Sequence, residues 1–188
     1  MEKKRYVWAP VVEDVFGRLQ NAGRAFDDHT TWLDVGCGDG ALVMTAAEFG
    51  FDAVGLDSRR EVVKKIESLG YKAEEGDFLN TLTSRPVHVI SMADVLEHFP
   101  FPVQALRKAH QMLNLGGILY VSCPNSDTAA WREMDALGAN PYWVEMEHFH
   151  NFSRRLLMQL LSDCGFKPVR YGISTRYRAG MEIISLRI

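Results

Sequence analysis

Three glycines within five residues follow an apolar run in the stretch TWLDVGCGDGA, residues 31 to 41. They stand at positions 36, 38 and 40, directly after a predicted strand (TWLDV) and at the start of a predicted helix (GALVMTAAEF). Glycine lets the chain turn sharply and brings the backbone close to a ligand, and the free N–H groups at the helix start face that ligand. A glycine-rich loop in this position is typical of an α/β protein that binds a nucleotide.

Strand and helix patterns alternate along the whole chain. Predicted helices cover 11 to 26, 40 to 49, 59 to 69, 103 to 114 and 154 to 164, and predicted strands cover 31 to 35, 51 to 57, 71 to 77, 87 to 92, 118 to 123, about 167 to 175 and 181 to 188. Gly116 and Gly117 are expected to end the fourth helix, and Pro124, Gly138 and Pro141 predict an irregular segment over 124 to 149.

This alternation predicts an α/β fold with a doubly wound, mostly parallel sheet, whose ligands bind at the carboxyl ends of the strands. No helix separates the last two strands, so we expect them to form an antiparallel hairpin at one edge. A chain of 188 residues with 47% hydrophobic residues fits one globular domain, residues 1 to 188.

Net charge and cysteine content bear on the class of partner and on the cellular location. A net charge of -3 gives no global reason to expect a nucleic-acid partner. Cys37, Cys123 and Cys164 form no CxxC pair, which favours a reducing, cytoplasmic location. No apolar run is as long as a membrane span, and the basic N-terminus is not followed by the apolar core of a signal peptide.

The glycine loop by itself leaves three interpretations open. A tight turn without a ligand is one, and the dinucleotide pattern GxGxxG/A is formally satisfied if Ala41 takes its last position. Asp34, two residues before the first glycine, would repel a pyrophosphate but suits a ligand with an ammonium group. The chain is also too short for a dinucleotide domain plus a substrate domain. The residues therefore favour the ammonium-bearing ligand.

The stretch LDVGCGDG closely resembles the first motif of the class I, Rossmann-like S-adenosylmethionine-dependent methyltransferases. The resemblance continues along nearly the whole chain, in particular to the ubiquinone-biosynthesis O-methyltransferase branch. It implies a seven-stranded sheet of order 3-2-1-4-5-7-6 with the last strand antiparallel. It also implies that S-adenosylmethionine is bound by Asp34, Gly36, Cys37, Gly38, Gly40, Asp57, Ser58, Asp77, Phe78 and Ala93.

Two of these carboxylates have roles that the resemblance implies. Asp57 matches the acidic residue that takes the two ribose hydroxyls, and a carboxylate can accept two hydrogen bonds from a vicinal diol. Asp77 matches the residue that receives the adenine amino group, and Phe78 the side chain that packs on the ring. Each also has a structural alternative, since Asp57 can cap the following helix and Asp77 can be a turn residue.

The segment ADVLEHF resembles the ExxEH segment of the ubiquinone-biosynthesis O-methyltransferases and of the small-RNA 3'-end 2'-O-methyltransferases, where it is associated with a divalent metal. The metal set that this implies is Asp94, Glu97, His98 and His150, with aspartate where those families have glutamate. His148 lies two residues before His150, on the same side of an extended segment. A metal-free role of His98, His148 or His150 as general base, and a purely structural role, are the alternatives.

Large side chains in residues 125 to 150 predict the wall of an acceptor site, and Tyr6 and Trp8 are expected to cover the cofactor. The wall residues are Trp131, Met134, Tyr142, Trp143, Met146 and Phe149. The resemblance, together with the cluster of histidines and carboxylates, implies O-methylation of a small-molecule or glycan-linked acceptor by a monomer or homodimer. One alternative is an RNA or protein methyltransferase with a basic rim of Arg154, Arg155, Lys167, Arg170, Arg176 and Arg178. The other is a non-catalytic, cofactor-binding regulatory module.

Overall fold

Helices and strands alternate in the computed structural model, which describes residues 2–21, 27, 29–82, 87–174 and 179–188. The helices are α1 (Glu2–Asn21), α2 (Ala41–Glu48), α3 (Arg60–Ser68), α4 (Pro102–Met112), α5 (Ala129–Ala136) and α6 (Arg154–Asp163). The strands are β1 (Thr31–Val35), β2 (Asp52–Asp57), β3 (Lys72–Glu75), β4 (Val87–Ala93), β5 (Leu113–Pro124), β6 (Phe166–Ile173) and β7 (Gly180–Arg187). Short 3₁₀ turns lie at Leu96–His98 and Pro141–Trp143.

The strands form one seven-stranded sheet in the order β3-β2-β1-β4-β5-β7-β6. All neighbours are parallel except β7, which runs antiparallel to both β5 and β6. The predicted fold class and strand order are therefore confirmed. Because the chain winds outward in opposite directions from β1 and β4, a crevice opens beyond the carboxyl ends of these two strands.

Each face of the sheet carries its own apolar core. One face packs against α1, α2 and α3, and the other packs against α4 and α6. The sheet contributes Trp32, Val89, Tyr120 and Ile184 to the first core and Leu33, Ile90, Leu119 and Ile183 to the second. Burial of each such side chain stabilises the fold by about 1.5–3 kcal/mol, so the two cores hold the strand ends in fixed positions.

Two helix boundaries differ from the prediction. Helix α1 begins at Glu2 rather than at residue 11, and it contains both Pro10 and the buried Trp8. Its predicted extension over 22 to 26 lies outside the described residues. Helix α4 ends at Met112, and β5 runs straight through Gly116 and Gly117, so the predicted glycine stop is wrong. At Gly117 a Cβ would lie 2.8 Å from the carbonyl oxygen of Asn114, which explains the glycine as a close backbone approach within a strand.

The segment predicted to be irregular contains the two-turn helix α5. The hydroxyl of Thr128 accepts a hydrogen bond from the N–H of Trp131 and caps its start. Ser153 caps α6 in the same way through the N–H of Leu156, as predicted. No helix among the described residues is both long and apolar enough to cross a membrane.

The glycine loop between β1 and α2 is tied to β2 and packed against the segment after β4. The N–H groups of Gly36 and Cys37 both donate to the carbonyl oxygen of Leu56, at 2.7 and 3.2 Å. Gly36, Gly38 and Gly40 have φ values of 63°, 53° and 77°, which residues with a side chain rarely adopt. The loop therefore follows a path that glycine alone takes without strain.

We expect Gly36→Ala to destabilise the protein more than Gly38→Ala. A Cβ at Gly36 would lie 2.6 Å from Cγ2 of Val95, whereas a Cβ at Gly38 would have its nearest neighbour at 3.9 Å. The first change adds overpacking to backbone strain and should lower the free energy of unfolding by about 2–4 kcal/mol. The second carries the strain alone, about 1–2 kcal/mol.

Urea denaturation measures both values, and Val95→Ala in the Gly36→Ala background should recover part of the difference. Equal losses in the two single variants would contradict the packing described for this loop.

Candidate cofactor and acceptor site

Two adjoining cavities lie at the carboxyl ends of the central strands, and Gly36 of the glycine loop lines both. The larger has a volume of about 800 Å³ and is lined in part by Asp57, Ser58, Asp77, Phe78, Asp94 and His98. The smaller, of about 240 Å³, is lined in part by Trp8, Asp34, Cys37, Gly38 and Ala93. Nine of the ten residues predicted to bind the cofactor thus line one or both of these cavities. Gly40 lies outside both, because it starts α2 and packs against Ile66.

Asp34 is held in place by a buried chain of hydrogen bonds. The indole N–H of Trp32 donates to the hydroxyl of Ser91 at 2.8 Å, and this hydroxyl donates to Oδ1 of Asp34 at 2.6 Å. Ser91 stands opposite Asp34 in the pairing of β1 with β4. Asp34 is 3% exposed and lines the smaller cavity, so little solvent separates this side chain from a ligand bound there.

Asp57, at the end of β2, forms an ion pair with Arg59. Nε and Nη2 of the guanidinium donate to Oδ1 and Oδ2 at 2.9 and 3.0 Å. The backbone N–H groups of Arg59 and Gly38 donate to the same two oxygens at 3.0 and 3.1 Å. Burial would raise the pKa of this carboxyl, but the hydrogen bonds from Arg59 and Gly38 outweigh it and hold the pKa below its ordinary value. Asp57 is therefore ionised at neutral pH.

Asp77 and Phe78 follow β3 on the far side of the larger cavity. The carboxylate of Asp77 accepts hydrogen bonds from the N–H of Leu79 at 3.1 Å and from the side-chain amide of Asn80 at 2.6 Å. The turn-residue alternative is therefore present in the structure. Phe78 is buried, with its ring edge-on to Phe99 at 6.2 Å between centroids. A flat wall of this kind suits an aromatic ring.

Cys37 has the properties of a packing residue rather than a nucleophile. Burial, together with the charges of Asp34 and Asp57, raises the pKa of its thiol to about 12. Its sulfur fills the space beside Gly55, where a Cβ would lie 2.6 Å from Sγ. The thiol is therefore protonated at neutral pH, and Cys37 contributes shape to the smaller cavity.

Residues 145 to 150, here called the strap, dock onto the 3₁₀ turn that follows β4. The backbone N–H groups of Phe149 and His150 donate to the carbonyl oxygen of Glu97, at 3.0 and 3.3 Å. Nδ1 of His98 lies 2.9 Å from the carbonyl oxygen of Glu147, and Nε2 of His150 lies 3.2 Å from that of Pro100. A carbonyl oxygen only accepts, so these two nitrogens carry protons. In the neutral ring, Nε2 of His98 remains as its acceptor.

The strap brings three ligand-type side chains together. Glu97, His98 and His148 each offer an atom within 4.8 Å of the others, and the two imidazole rings meet edge to face at 4.7 Å between centroids. Glu97 is 1% exposed. Burial lowers the pKa of His148, and the neighbouring His98 lowers it further. The cluster therefore combines a buried carboxylate with an imidazole that favours its neutral, electron-donating form.

The metal set predicted from the sequence is brought together only in part. Glu97 and His98 belong to the cluster, but His148 takes the third position and His150 braces the loop at Pro100. Asp94 has a φ of 57°, and its carboxylate lies 3.3 Å from the hydroxyl of Ser122 while lining the larger cavity. The metal and catalytic roles of these residues stay predictions.

Two aromatic rings, those of Trp131 and Tyr142, stack beside His148. The ring of Tyr142 lies nearly parallel to Trp131, 4.9 Å away, and nearly parallel to His148, 6.2 Å away. Trp131 is buried and anchors the stack. Burial raises the pKa of the Tyr142 phenol, and the charges of Asp94 and Glu97 raise it further. Of the predicted acceptor wall, Trp131 and Tyr142 thus form packed structure beside the histidines.

Other wall residues are open to solvent. Met146 and Phe149 line the larger cavity and are largely exposed, as is Trp143. Trp8 lines the smaller cavity as expected, whereas Tyr6 is exposed and lies away from it. Apolar side chains therefore surround the mouth of the larger cavity.

Sequence reasoning missed two residues that act directly on the predicted cofactor carboxylates. Ser91 holds Asp34, and Arg59 holds Asp57. The signal for Arg59 was present, since a guanidinium two residues after a carboxylate can fold back onto it. Ser91 is 57 positions from Asp34, and only the strand register places them together.

Comparison with known proteins gives matches over most of the chain. Residues 2–171 match a family model described as a methyltransferase domain. The ubiquinone biosynthesis O-methyltransferase of Serratia proteamaculans (strain 568) is 31% identical over 121 residues, covering 60% of this chain and 49% of that protein. Its namesake from Yersinia pestis (strain Pestoides F) is 33% identical over 136 residues, covering 68% and 54%. The chain thus spans about half the length of these curated relatives.

A solved structure shares the fold. The magnesium protoporphyrin IX methyltransferase of Synechocystis PCC 6803, with bound SAH, matches with a TM-score of 0.72 over 96% of this chain and 83% of that one. The two sequences are 19% identical, so this likeness concerns the fold alone.

The lowered pKa of His148 predicts a pH dependence of stability. The folded protein favours the neutral imidazole, so the unfolded chain binds more protons as the pH falls through about 6.5, the ordinary pKa of histidine. The stabilising contribution is complete above that pH and is lost below it. We expect the fall in unfolding free energy between about pH 8 and about pH 5 to be smaller in His148→Gln than in the wild type. Parallel curves from urea denaturation at each pH would contradict this.

Proposed function

The chain belongs to the methyltransferase domain family and has the class I fold of S-adenosylmethionine-dependent enzymes, and on that premise we propose that it methylates an oxygen of a small-molecule acceptor. One observation carries the proposal: three carboxylates, Asp34, Asp57 and Asp77, line two cavities at the carboxyl ends of the strands that share Gly36 as a lining residue.

The chemistry of these side chains fits S-adenosylmethionine. Asp34, buried and aimed into the smaller cavity, would pair with the ammonium of the methionine moiety. Asp57 would accept from the ribose hydroxyls, and Phe78 would pack on the adenine. Gly38 has open space where a side chain would stand, so its backbone can lie against the ligand. The larger cavity then holds both the nucleoside and the acceptor.

Methyl transfer requires positioning more than covalent catalysis. S-adenosylmethionine supplies a methyl group that its sulfonium makes electrophilic. The chain aligns the acceptor with it, keeps water away and receives the proton of the acceptor hydroxyl. Nε2 of His98 would receive that proton, since Nδ1 donates to the carbonyl oxygen of Glu147 and His98 lines the larger cavity. Glu97 lies beside it and would stabilise the positive charge that His98 gains.

In a second form of the same site, Glu97, His98 and His148 would hold a divalent metal ion. The three donors lie close enough to approach one ion with small movements, and the His98–Glu147 hydrogen bond is the support that metal-binding histidines ordinarily have. Carboxylate and imidazole ligands suit magnesium, manganese or zinc. A metal there would polarise the acceptor oxygen and lower the pKa of its hydroxyl.

The acceptor is proposed from the cavity mouth and from the relatives. Met146 and Phe149 present apolar surface, and the matched relatives are named for O-methylation in ubiquinone biosynthesis. A glycan-linked acceptor and a cytoplasmic location stay predictions from the sequence, as does the choice between monomer and homodimer. Methyl transfer to any acceptor by the purified protein would exclude the alternative of a non-catalytic module.

The basic rim that would favour an RNA acceptor is engaged within the protein at two of its four described positions. Arg170 pairs with Asp14 at 3.0 Å, and the guanidinium of Arg154 lies 4.1 Å from the ring centroid of Tyr171. Arg176 and Arg178 lie outside the described residues. A salt-dependent affinity for RNA would support that alternative.

We expect Asp57→Ala to weaken S-adenosylmethionine binding about 10- to 100-fold, because two hydrogen bonds to a buried carboxylate are lost. Calorimetry measures the Kd. Asp52→Ala is the matched control, since Asp52 begins the same strand and pairs with Lys72 away from the cavities. Unchanged binding in Asp57→Ala would exclude Asp57 as the ribose ligand.

We expect His98→Ala to lower kcat by about 10²- to 10⁴-fold while the Kd of S-adenosylhomocysteine changes little, since the residue acts on the acceptor. The assay measures the transfer of a labelled methyl group from S-adenosylmethionine to a panel of catechol-type phenols. His150→Ala is the comparison variant, because Nε2 of His150 donates a hydrogen bond to the carbonyl oxygen of Pro100. Its loss should lower the free energy of unfolding more than it lowers kcat.

A chelator separates the two forms of the site. Loss of turnover that added magnesium, manganese or zinc restores supports the metal form, and full activity in the chelator leaves His98 as a metal-free base. Equal losses of turnover and cofactor affinity in His98→Ala would assign that residue a structural role.

A further inference from the structure

We propose that Arg59 is an internal competitor for the carboxylate that binds the cofactor ribose, so that it weakens cofactor binding and speeds release of the spent cofactor. This inference rests on the proposed function, in which Asp57 accepts the ribose hydroxyls.

The hydrogen-bonding capacity of Asp57 is full in this structure. Oδ1 accepts from Nε and from the backbone N–H of Arg59, and Oδ2 accepts from Nη2 of Arg59 and from the N–H of Gly38. The two oxygens of a carboxylate offer about four acceptor positions in all. Two ribose hydroxyls can therefore bind only where existing donors leave.

The guanidinium is the donor that can leave. The N–H groups of Arg59 and Gly38 belong to the backbone of the two loops that shape the cavities, so their positions are set by the fold. The Arg59 side chain is 57% exposed and can rotate into solvent, whereas the Asp57 side chain is 3% exposed and stays in place. Each hydroxyl would thus replace one of the two guanidinium contacts.

The exchange sets the net strength of cofactor binding. A ribose hydroxyl gains a hydrogen bond to an ionised carboxylate but displaces a charge-assisted hydrogen bond of the exposed Arg59 guanidinium, which offsets part of that gain. Binding therefore gains less from Asp57 than the contact alone would give. When the ribose leaves, the ion pair reforms, which favours departure of the product. Product release limits turnover in many enzymes.

Removal of Arg59 should tighten binding. We expect Arg59→Ala to bind S-adenosylhomocysteine about 3- to 10-fold more tightly than the wild type in calorimetry, with a slower dissociation rate in stopped-flow fluorescence. Arg59→Gln, which keeps most of the side-chain length without the charge, should behave in the same way. Arg60→Ala is the matched control, because Arg60 is exposed and its contact with Glu75 at 3.7 Å lies away from Asp57.

Salt gives a readout that a merely structural role would not change. Ions screen the Asp57–Arg59 pair, and they also screen the proposed pairing of Asp34 with the ligand ammonium, which all variants share. The wild-type affinity for S-adenosylhomocysteine, relative to that of Arg59→Ala, should therefore rise with potassium chloride concentration, and Arg60→Ala should follow the wild type. Circular dichroism melting of each variant confirms that it is folded.

Weaker or equal binding in a folded Arg59→Ala variant, with the wild type binding normally, overturns the inference and leaves the proposed function intact. Absence of binding in the wild type and in all variants overturns the proposed function and, with it, this inference.

Discussion

The parallel pairing of β1 with β4 at the centre of the sheet is the constraint on which the rest of the site depends. It places Ser91 opposite Asp34, so that a hydroxyl anchored by Trp32 orients the carboxylate at the wall of the smaller cavity. It also opens the crevice beyond both strands, where the glycine loop packs against Val95. Movement of either strand would displace the cofactor carboxylates and the histidine cluster together.

The two ends of the site use electrostatics differently. At the cofactor end, hydrogen bonds from Arg59 and Gly38 lower the pKa of Asp57 and keep this carboxylate ionised. At the acceptor end, burial keeps His148 neutral beside the buried Glu97. The first arrangement suits a ligand that carries donors and a positive charge. The second suits the acceptance of a proton or a metal ion. His98, which contacts Glu147 of the strap, lines the same cavity as Asp57.

The doubly wound fold and its antiparallel edge hairpin were accessible to sequence reasoning because they follow from the alternation of strand and helix patterns. The strand order and the assignment of Asp57 and Asp77 came from the family resemblance of the motifs at the strand ends. Three features were accessible in neither way. The start of α1 was hidden by Pro10 and by charged residues that offer no apolar periodicity. The choice between His148 and His150 depends on backbone hydrogen bonds from the strap to Glu97, which alternation along the chain does not specify. The closure of Arg59 onto Asp57 depends on a side-chain conformation.

A crystal structure of the protein with S-adenosylhomocysteine tests the central claim most directly, namely that the three carboxylates form one cofactor site. The expected result is a ligand with its ammonium at Asp34, both ribose hydroxyls at Asp57 and its adenine beside Asp77 and Phe78, with the homocysteine sulfur facing the cavity that His98 lines. A ligand bound elsewhere, or one whose ribose makes no contact with Asp57, would contradict the claim.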